Sequence, residues 1–173
     1  MLIVLTGYMG SGKSLVGKSL SERLNCRFID LDHFIARREK MSIPEIFRTR
    51  GEIYFRKKER SYLEEVLNIK EKTVIALGGG TPCYGENMEI ILSATPYVFY
   101  LKASADTLLR RLAKEQYSRP LIKDIKKADL PEFIQKHLFE RSFFYLKAPY
   151  RIAVDELPPE KIADIIIEKF VPD

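Results

Sequence analysis

Hydrophobic residues in this chain of 173 residues fall into two alternating kinds of segment. Short apolar runs have the composition of buried strands: Leu2–Leu5, Phe28–Asp30, Thr73–Leu77, Tyr97–Leu101 and Arg151–Val154. Longer segments with helical periodicity separate them, so successive strands must be joined by crossovers. The pattern therefore predicts an α/β fold: a three-layer αβα sandwich around a five-stranded parallel sheet that is covered on both faces.

Helices are predicted where apolar residues recur at intervals of three and four. Lys13–Leu24 is one such segment. Gly51–Ile69 is a second, in which Phe55, Tyr62 and Val66 share one face. These segments have the apolar stripe that packs a helix onto a sheet.

Two further helix starts carry the capping-box pattern, in which a small polar residue is followed three positions later by Glu. Ser42 precedes Glu45 and predicts a helix near residues 43–50. Asp129 precedes Glu132, and we expect a helix that continues to about residue 145. Both pairs should satisfy free N–H groups at a helix N-terminus.

A polar, lysine-rich stretch from Gln116 to Leu130 has little apolar periodicity and is the best candidate for a mobile lid. The sequence contains no internal repeat and no linker long enough to separate two full domains. We therefore expect residues 1–173 to form a single domain, with a lid at about 116–130.

Composition narrows the classes of function. The net charge is +5, but 24 acidic residues are spread among 29 basic ones, so we expect no nucleic-acid partner. The two cysteines, Cys26 and Cys83, lie far apart and have no metal-ligand spacing. The apolar residues Met1–Leu5 run directly into a glycine-rich loop, which does not resemble a signal peptide, and no apolar run approaches the ~18 residues of a membrane span. We expect a cytoplasmic monomer without membrane contact.

The first strand is followed by Gly7-Tyr8-Met9-Gly10-Ser11-Gly12-Lys13-Ser14, which fits the phosphate-loop pattern G-x-x-x-x-G-K-[ST] in its strand-loop-helix context. The glycines and the helix N-terminus direct backbone N–H groups towards phosphate, Lys13 adds a mobile cation, and the Ser14 hydroxyl can bind Mg²⁺. ATP and Mg²⁺ are the predicted ligands. The alternative is a glycine-rich turn with Lys13 as a solvated surface residue.

Asp30 and Asp32 lie two positions apart at the end of the second strand, where ligands of open parallel sheets bind. We predict that Asp30 holds the metal and that Asp32 orients an acceptor hydroxyl and takes its proton. The alternative is that Asp32 caps a helix beginning near His33 while Asp30 lies in a surface turn.

Arginines and glycines downstream supply the remaining candidates. Arg56 and Glu59 are three apart on a helix, so Glu59 can orient Arg56 towards an acceptor carboxylate, although a surface ion pair fits the same spacing. The triplet Gly78–Gly80 lets bare backbone approach a ligand. Arg119 and Arg141 could each line the site or remain solvated.

These residues, in order and spacing, resemble shikimate kinases over nearly the whole chain. The motifs that carry the resemblance are Gly7–Ser14, Phe28–Asp32, Gly51–Glu59, Gly78–Gly80, Arg119-Pro120-Leu121 and Arg141-x-x-x-Tyr145-x-x-Ala148. The block around Arg56 and the glycine triplet are its specific parts, because many families share the phosphate loop.

The resemblance implies a P-loop kinase fold of the nucleoside-monophosphate-kinase type. The implied reaction transfers phosphate from ATP to shikimate, giving shikimate 3-phosphate in chorismate and aromatic amino acid biosynthesis. The implied acceptor segment covers about residues 32–60. The resemblance implies acceptor contacts by Asp32, Arg56, Gly79 and Arg141, a lid arginine at Arg119 and a magnesium ligand at Ser14. Together with the residue-level interpretation, the predicted roles are catalysis by Lys13, Asp32 and Arg119; metal binding by Ser14 and Asp30; acceptor binding by Asp32, Arg56, Gly78, Gly79, Gly80 and Arg141; and nucleotide binding by Gly10, Ser11, Gly12, Lys13, Ser14, Leu15, Arg111 and Arg119.

One residue departs from the family pattern, and the residues that contact adenine are left open. Ala76 stands where some relatives carry a hydroxyl residue, so Asp30 must suffice at the metal. The adenine contacts could come from Arg110 or Arg111 together with Leu157–Pro159. Rival functions are a gluconate-type or nucleotide kinase on the same fold and, from a different class, a nucleic-acid-binding P-loop ATPase.

Overall fold

A five-stranded parallel sheet forms the centre of the molecule, as the alternating pattern predicts. The computed structural model describes residues 1–169. The strands are β1 (Leu2–Thr6), β2 (Arg27–Asp30), β3 (Thr73–Ala76), β4 (Val98–Lys102) and β5 (Tyr150–Ala153). The order across the sheet is β2-β3-β1-β4-β5, and every neighbouring pair is parallel. All five predicted strands are thus confirmed, with ends that differ by at most one residue.

Seven α-helices lie along the connections between and after the strands. They are α1 (Lys13–Arg23), α2 (Leu31–Glu39), α3 (Ile43–Leu67), α4 (Asn87–Ala94), α5 (Ala105–Glu115), α6 (Leu130–Tyr145) and α7 (Pro159–Glu168). The central strands are buried on both faces, with Val4, Ile75 and Phe99 fully inaccessible. This burial explains why their sequences are continuous apolar runs rather than alternating ones.

The order of the strands creates a crevice at the carboxyl ends of β1 and β3. The chain leaves β1 towards β2 on one side and leaves β3 towards β4 on the other. Adjacent strands whose connections run in opposite directions leave an opening at their carboxyl ends, where open α/β sheets bind ligands. The phosphate loop follows β1 and the glycine triplet follows β3, so both border this opening.

The segment between β2 and β3 follows the predicted helix boundaries closely. Ser42 and Glu45 form both hydrogen bonds of the capping box at the start of α3. The helix is interrupted at Gly51, whose φ of 83° lies in the left-handed region that favours glycine. The predicted division into a helix over 43–50 and a second one from Gly51 corresponds to this break.

The capping box predicted at Asp129 is wrong. Asp129 has a near-helical backbone (φ −92°, ψ −12°) and its side chain makes no capping hydrogen bond. Because a cap needs an extended residue whose side chain folds back over the first turn, the motif's sequence is present without its geometry. The helix itself is confirmed: α6 covers Leu130–Tyr145, against the predicted 131–145.

Residues 116–129 form a compact loop built around a buried side chain. A short 3₁₀ turn covers Gln116–Ser118. The Gln116 amide donates to the carbonyl oxygens of Ile122 (3.0 Å) and Ile125 (2.6 Å). These bonds give the polar segment a defined shape without helical periodicity. In the described part of the chain, no helix has the length and apolar character needed to cross a membrane.

Candidate active site

The phosphate loop curls around the side chain of Lys13. Gly10 and Gly12 have φ values of 80° and 94°, which glycine adopts without strain. The Lys13 ammonium donates to the carbonyl oxygens of Gly7 (2.8 Å) and Tyr8 (2.9 Å). The helix α1 begins at Lys13, so its free N–H groups and positive dipole end border the loop. This arrangement suits a phosphate group.

Burial lowers the pKa of Lys13 to about 8, and the carboxylates of Asp32 and Asp30 oppose that shift. The side chain is 8% exposed. A desolvated cation that is incompletely neutralised by its neighbours gains most from an added anion, because the dielectric around it is low. Lys13 is therefore an electrostatic partner for phosphate rather than a solvated surface residue.

Ser14 and Asp30 form a pair of oxygen donors beside the loop. The Ser14 hydroxyl donates to Asp30 Oδ2 at 2.5 Å, and Asp30 Oδ1 accepts from the backbone N–H of His33 at 3.2 Å. Asp30 is therefore the N-cap of α2, so the alternative in which Asp32 caps this helix is wrong. Asp32 lies within the first turn of the helix.

The donor set of Ser14 and Asp30 fits a small divalent cation. Magnesium binds hard oxygen ligands and is usually held by one or two protein groups together with phosphate oxygens and water. Within residues 1–169, no group of three or more His, Cys, Asp or Glu side chains could hold a metal ion by itself. The chain thus offers a site that a phosphate ligand would complete.

The pKa of Asp32 lies well above the ordinary value of a carboxyl group. Burial, together with the negative charges of Asp30 and Glu59, raises its pKa to about 6 against the opposing effect of Lys13 and Arg56. A carboxylate with a pKa near neutrality suits a general base, since it is ionised at pH 7 and still accepts a proton readily.

Each glycine of the triplet makes room for a different neighbour. A Cβ on Gly78 would lie 2.6 Å from the Asp32 carboxylate, and one on Gly79 would lie 3.0 Å from the backbone nitrogen of Met9. A Cβ on Gly80 would lie 3.2 Å from the Arg56 guanidinium. The three glycines thus let the chain after β3 pass close to the phosphate loop and to the side chains of Asp32 and Arg56.

Arg56 is oriented by a buried acid, as the spacing predicts. Its Nη1 donates to Glu59 Oε2 at 2.7 Å, and the other oxygen of Glu59 accepts from the Thr81 hydroxyl at 2.8 Å. Glu59 is 1% exposed. The guanidinium carbon lies 3.6 Å from the centroid of the Tyr84 ring. Glu59 is buried, the Arg56 side chain is only 17% exposed and the two are hydrogen-bonded, so the alternative of a solvated surface ion pair is wrong.

Arg141 is a buried cation without an acidic partner. It is 7% exposed, and no carboxylate oxygen of the described chain lies within 4.0 Å of its guanidinium nitrogens. A Cβ on Gly80 would lie 3.4 Å from Arg141 Nη2 and 3.2 Å from Arg56, so both guanidinium groups approach the same point. Buried charges are normally paired. This pair of arginines therefore has the electrostatics of an anion site.

Two cavities meet at the mouth of the crevice. One, of about 550 Å³, is lined by the phosphate loop, Asp30, Arg111, Leu157 and Pro159. The other, of about 330 Å³, is lined by the glycine triplet, by Arg56 and Arg141 and by an apolar wall. Met9, Asp32, Gly79 and Arg119 line both cavities. The shared boundary is where a group could pass from one ligand to the other.

The arginines in and just before the loop of residues 116–129 take distinct positions. Arg111 donates to the carbonyl oxygen of Gly10 at 3.1 Å and lines the larger cavity. Arg110 is exposed and contacts Thr107 instead. Arg119 forms an ion pair with Glu115 at 2.7 Å while lining both cavities. Of the two adenine candidates, only Arg111 borders the cleft.

Several residues of the site have no local sequence signal. The smaller cavity has an apolar wall that includes Ile43, Phe47 and Leu121. Tyr8 occupies a variable position of the phosphate loop, and its hydroxyl lies 2.7 Å from Nδ1 of His137. His137 lies one helical turn before Arg141, so the i, i+4 spacing could have drawn attention to it.

These features define a P-loop phosphotransferase with a second cavity that is lined by two arginines. A family model described as "Shikimate kinase" matches residues 9–171. A shikimate kinase of Flavobacterium johnsoniae is 46% identical over 165 residues, covering 95% of this chain and 96% of the relative. The chain belongs to the shikimate kinase family.

Solved structures agree with this assignment. The crystal structure of shikimate kinase from Bacteroides thetaiotaomicron has a TM-score of 0.88 and 37% identity, covering 98% of this chain and 96% of the other. A shikimate kinase from Acinetobacter baumannii, solved in complex with shikimate, has a TM-score of 0.89 and 30% identity, covering 98% of this chain and 92% of the other. The fold is therefore that of the P-loop shikimate kinases.

Proposed function

We propose that this chain transfers the γ-phosphate of ATP to shikimate, giving shikimate 3-phosphate and ADP. The observation that carries the proposal is the buried, acid-free guanidinium of Arg141 beside Arg56, in a cavity that opens onto the phosphate loop. Shikimate presents one carboxylate and several hydroxyls. Two arginines match the carboxylate, and Asp32 at the shared boundary matches a hydroxyl. Membership of the family supports the same acceptor.

The nucleotide is assigned to the larger cavity. Its phosphates lie against Gly10–Ser14, the Lys13 ammonium contacts the β- and γ-phosphates, and Leu15 and Arg111 border the remainder of the nucleotide. Ser14 and Asp30 would hold Mg²⁺, which when bound neutralises charge on the phosphates. Residues 116–130 act as a lid that brings Arg119 to the transferred group.

In the transfer step, a shikimate hydroxyl oxygen forms a bond to the γ-phosphorus while the bond from that phosphorus to the bridging oxygen of ADP breaks. Asp32 accepts the hydroxyl proton. Lys13 and Arg119 stabilise the charge on the transferring group, and Arg56 with Arg141 fix the ring. The chain contributes mainly positioning and charge. We propose that residues 1–173 do this as one domain and as a monomer.

A comparison of acceptors tests the assignment. With Mg-ATP, the purified chain is expected to release ADP with shikimate but not with gluconate, a nucleoside monophosphate or the methyl ester of shikimate. The ester keeps every hydroxyl and removes only the negative charge, so its rejection isolates the anion site. Arg141→Met should lower kcat/KM for shikimate by about 10²-fold or more, because truncating one partner of a buried charged contact costs roughly 2–5 kcal/mol.

The control concerns folding. Because Arg141 is buried without an acid, its replacement by an apolar residue should leave the melting temperature unchanged or raise it. Arg38→Met, at an exposed residue that pairs with Glu65, is the matched control and should keep full activity. Equal turnover of shikimate and its ester by the wild-type chain would refute the anion site. Turnover of gluconate or a nucleoside monophosphate, with none of shikimate, would refute the acceptor.

A further inference from the structure

One face of α6 contacts three different parts of the site. His137, Arg141 and Tyr145 are spaced by four residues and therefore lie along one stripe of the helix. The His137 ring meets the Tyr8 hydroxyl at 2.7 Å, and the Tyr145 hydroxyl donates to the Gly79 carbonyl at 2.6 Å. Arg141 lies between these two contacts. Its helix is thus attached to the phosphate loop on one side and to the glycine triplet on the other.

Tyr8 is an integral part of the phosphate loop. Its carbonyl oxygen accepts from the Lys13 ammonium at 2.9 Å and from the backbone N–H of Ser11 at 3.1 Å. The side chain is 1% exposed and meets the His137 ring edge-on, with 5.4 Å between the ring centroids. The Arg141 guanidinium carbon lies 6.0 Å from the Tyr8 ring. Tyr8 therefore joins the residues assigned to phosphate with the helix that carries the acceptor arginine.

The hydrogen bond between Tyr8 and His137 joins two groups that are both neutral at pH 7. Burial raises the pKa of Tyr8, so the phenol keeps its proton. Burial, assisted by the cation of Arg141, lowers the pKa of His137 to about 4, so the imidazole is neutral. We assign the phenol as the donor and Nδ1 of His137 as the acceptor. A neutral imidazole also adds no positive charge beside Arg141.

Arg141 depends on its helix for its position. No ion pair with a carboxylate of residues 1–169 holds the guanidinium, whereas Arg56 is held by Glu59. Small displacements of a group that orients a substrate reduce catalysis strongly, because the reacting atoms must be aligned. The contacts one turn before and one turn after Arg141 join this part of α6 to the phosphate loop and to the glycine triplet.

We propose that His137 is a positioning residue for the acceptor: through its hydrogen bond with Tyr8, it sets where Arg141 lies relative to the phosphate loop. The inference rests on the proposed function and extends it, since the acceptor is shikimate and Arg141 its carboxylate contact. Loss of the bond weakens acceptor binding, while the nucleotide keeps its contacts with the loop backbone and Lys13. The effect falls on KM for shikimate rather than on KM for ATP.

Four variants test this role. Tyr8→Phe and His137→Phe each remove one partner while keeping an aromatic ring in place. Each is expected to raise KM for shikimate by about 3- to 10-fold, the range expected for one hydrogen bond, while KM for ATP changes by less than about twofold. The double variant should be no worse than either single variant, because both remove the same bond. His137→Gln, which offers an amide oxygen as acceptor, should restore KM towards the wild-type value.

Three outcomes would overturn the proposal: unchanged KM for shikimate, multiplicative effects in the double variant, or no rescue by Gln. A parallel rise in both KM values with a lower melting temperature would also overturn it, since a purely structural contact predicts that pattern. If His137→Phe fails to fold, Tyr8→Phe and His137→Gln decide the matter. A wild-type chain without shikimate kinase activity refutes the proposed function itself, whereas an active wild type with unaffected variants refutes only this inference.

Discussion

At the scale of single residues, Asp32 has the most informative electrostatics. Its pKa is raised to about 6 by burial and by the neighbouring charges of Asp30 and Glu59. If Asp32 accepts the hydroxyl proton, then kcat/KM for shikimate at saturating Mg-ATP should fall tenfold per pH unit below about pH 6 and be level above it. A pH-rate profile from pH 4.5 to 8.5 measures this. A limb centred near pH 4, as for an ordinary carboxyl, would contradict the role.

The same group should leave a signature in folding. The folded-state pKa lies above the ordinary 3.8, so the contribution of Asp32 to the free energy of unfolding is largest below pH 4 and is lost as the pH rises through about 6. Asp32→Asn removes this dependence and should stabilise the protein at pH 7 by up to about 3 kcal/mol while abolishing most activity. Urea unfolding at pH 4 and pH 7 measures the difference. Asp129→Asn is the matched control, since the exposed Asp129 side chain caps nothing.

At the scale of helices and strands, the sequence predicts those features that depend on interactions within a few residues. The strands and the first turn of α3 were recovered because apolar runs and the Ser42 capping box act within a few residues. The sequence patterns give no separate prediction for the helices α4 and α7. The cap at Asp129 failed because its backbone is already near-helical, which the sequence motif does not specify.

The features of the site likewise divide into residues that the sequence predicts and contacts that it does not. Asp32 and Arg56 could be named because their spacing carries chemistry, and Arg141 could be named through the family resemblance. The structure brings all three to one opening. The contact between Tyr8 and His137 joins residues 129 positions apart, and the one between Tyr145 and Gly79 joins residues 66 apart. Such contacts depend on how α6 packs across the sheet, so no local pattern in either segment predicts them.

The loop that follows α5 contains Arg119, and replacing this residue tests the proposed role of the loop. Arg119→Ala should lower kcat by about 10³-fold, as expected for an arginine that reaches a transferring phosphate. Stability should change by less than about 1 kcal/mol, because the ion pair with Glu115 leaves the two side chains 40% and 51% exposed. Steady-state kinetics and thermal unfolding measure the two effects.

Arg110→Ala is the control for the Arg119 variant. Arg110 lies on the same helix-loop region but is exposed and directed to Thr107 rather than to the cleft. It should keep nearly full kcat. An unaltered kcat in Arg119→Ala, or an equal loss in both variants, would remove Arg119 from the transfer step and with it the assignment of residues 116–130 as a catalytic lid.

At the scale of the whole molecule, topology explains why two binding sites share a wall. The connections after β1 and β3 diverge, so the phosphate loop and the glycine triplet face each other across one crevice. A Cβ on Gly79 would lie only 3.0 Å from the Met9 nitrogen, so the two segments are as close as backbones can pack. The net charge of +5 further favours two anionic ligands in this crevice.

The final prediction separates the two sites by removing the metal. The arginines assigned to shikimate are distinct from the Ser14 and Asp30 oxygens assigned to Mg²⁺, so EDTA should abolish phosphate transfer while shikimate binding persists. Shikimate at 100 times its Kd should then still stabilise the chain by about 2.7 kcal/mol, which corresponds to a rise in Tm of roughly 5–10 °C. Restored Mg²⁺ should recover activity in the wild type but only weakly in Ser14→Ala. If EDTA also abolished the Tm shift caused by shikimate, the metal would have to lie between the arginines and the acceptor, and the division into two sites would be wrong.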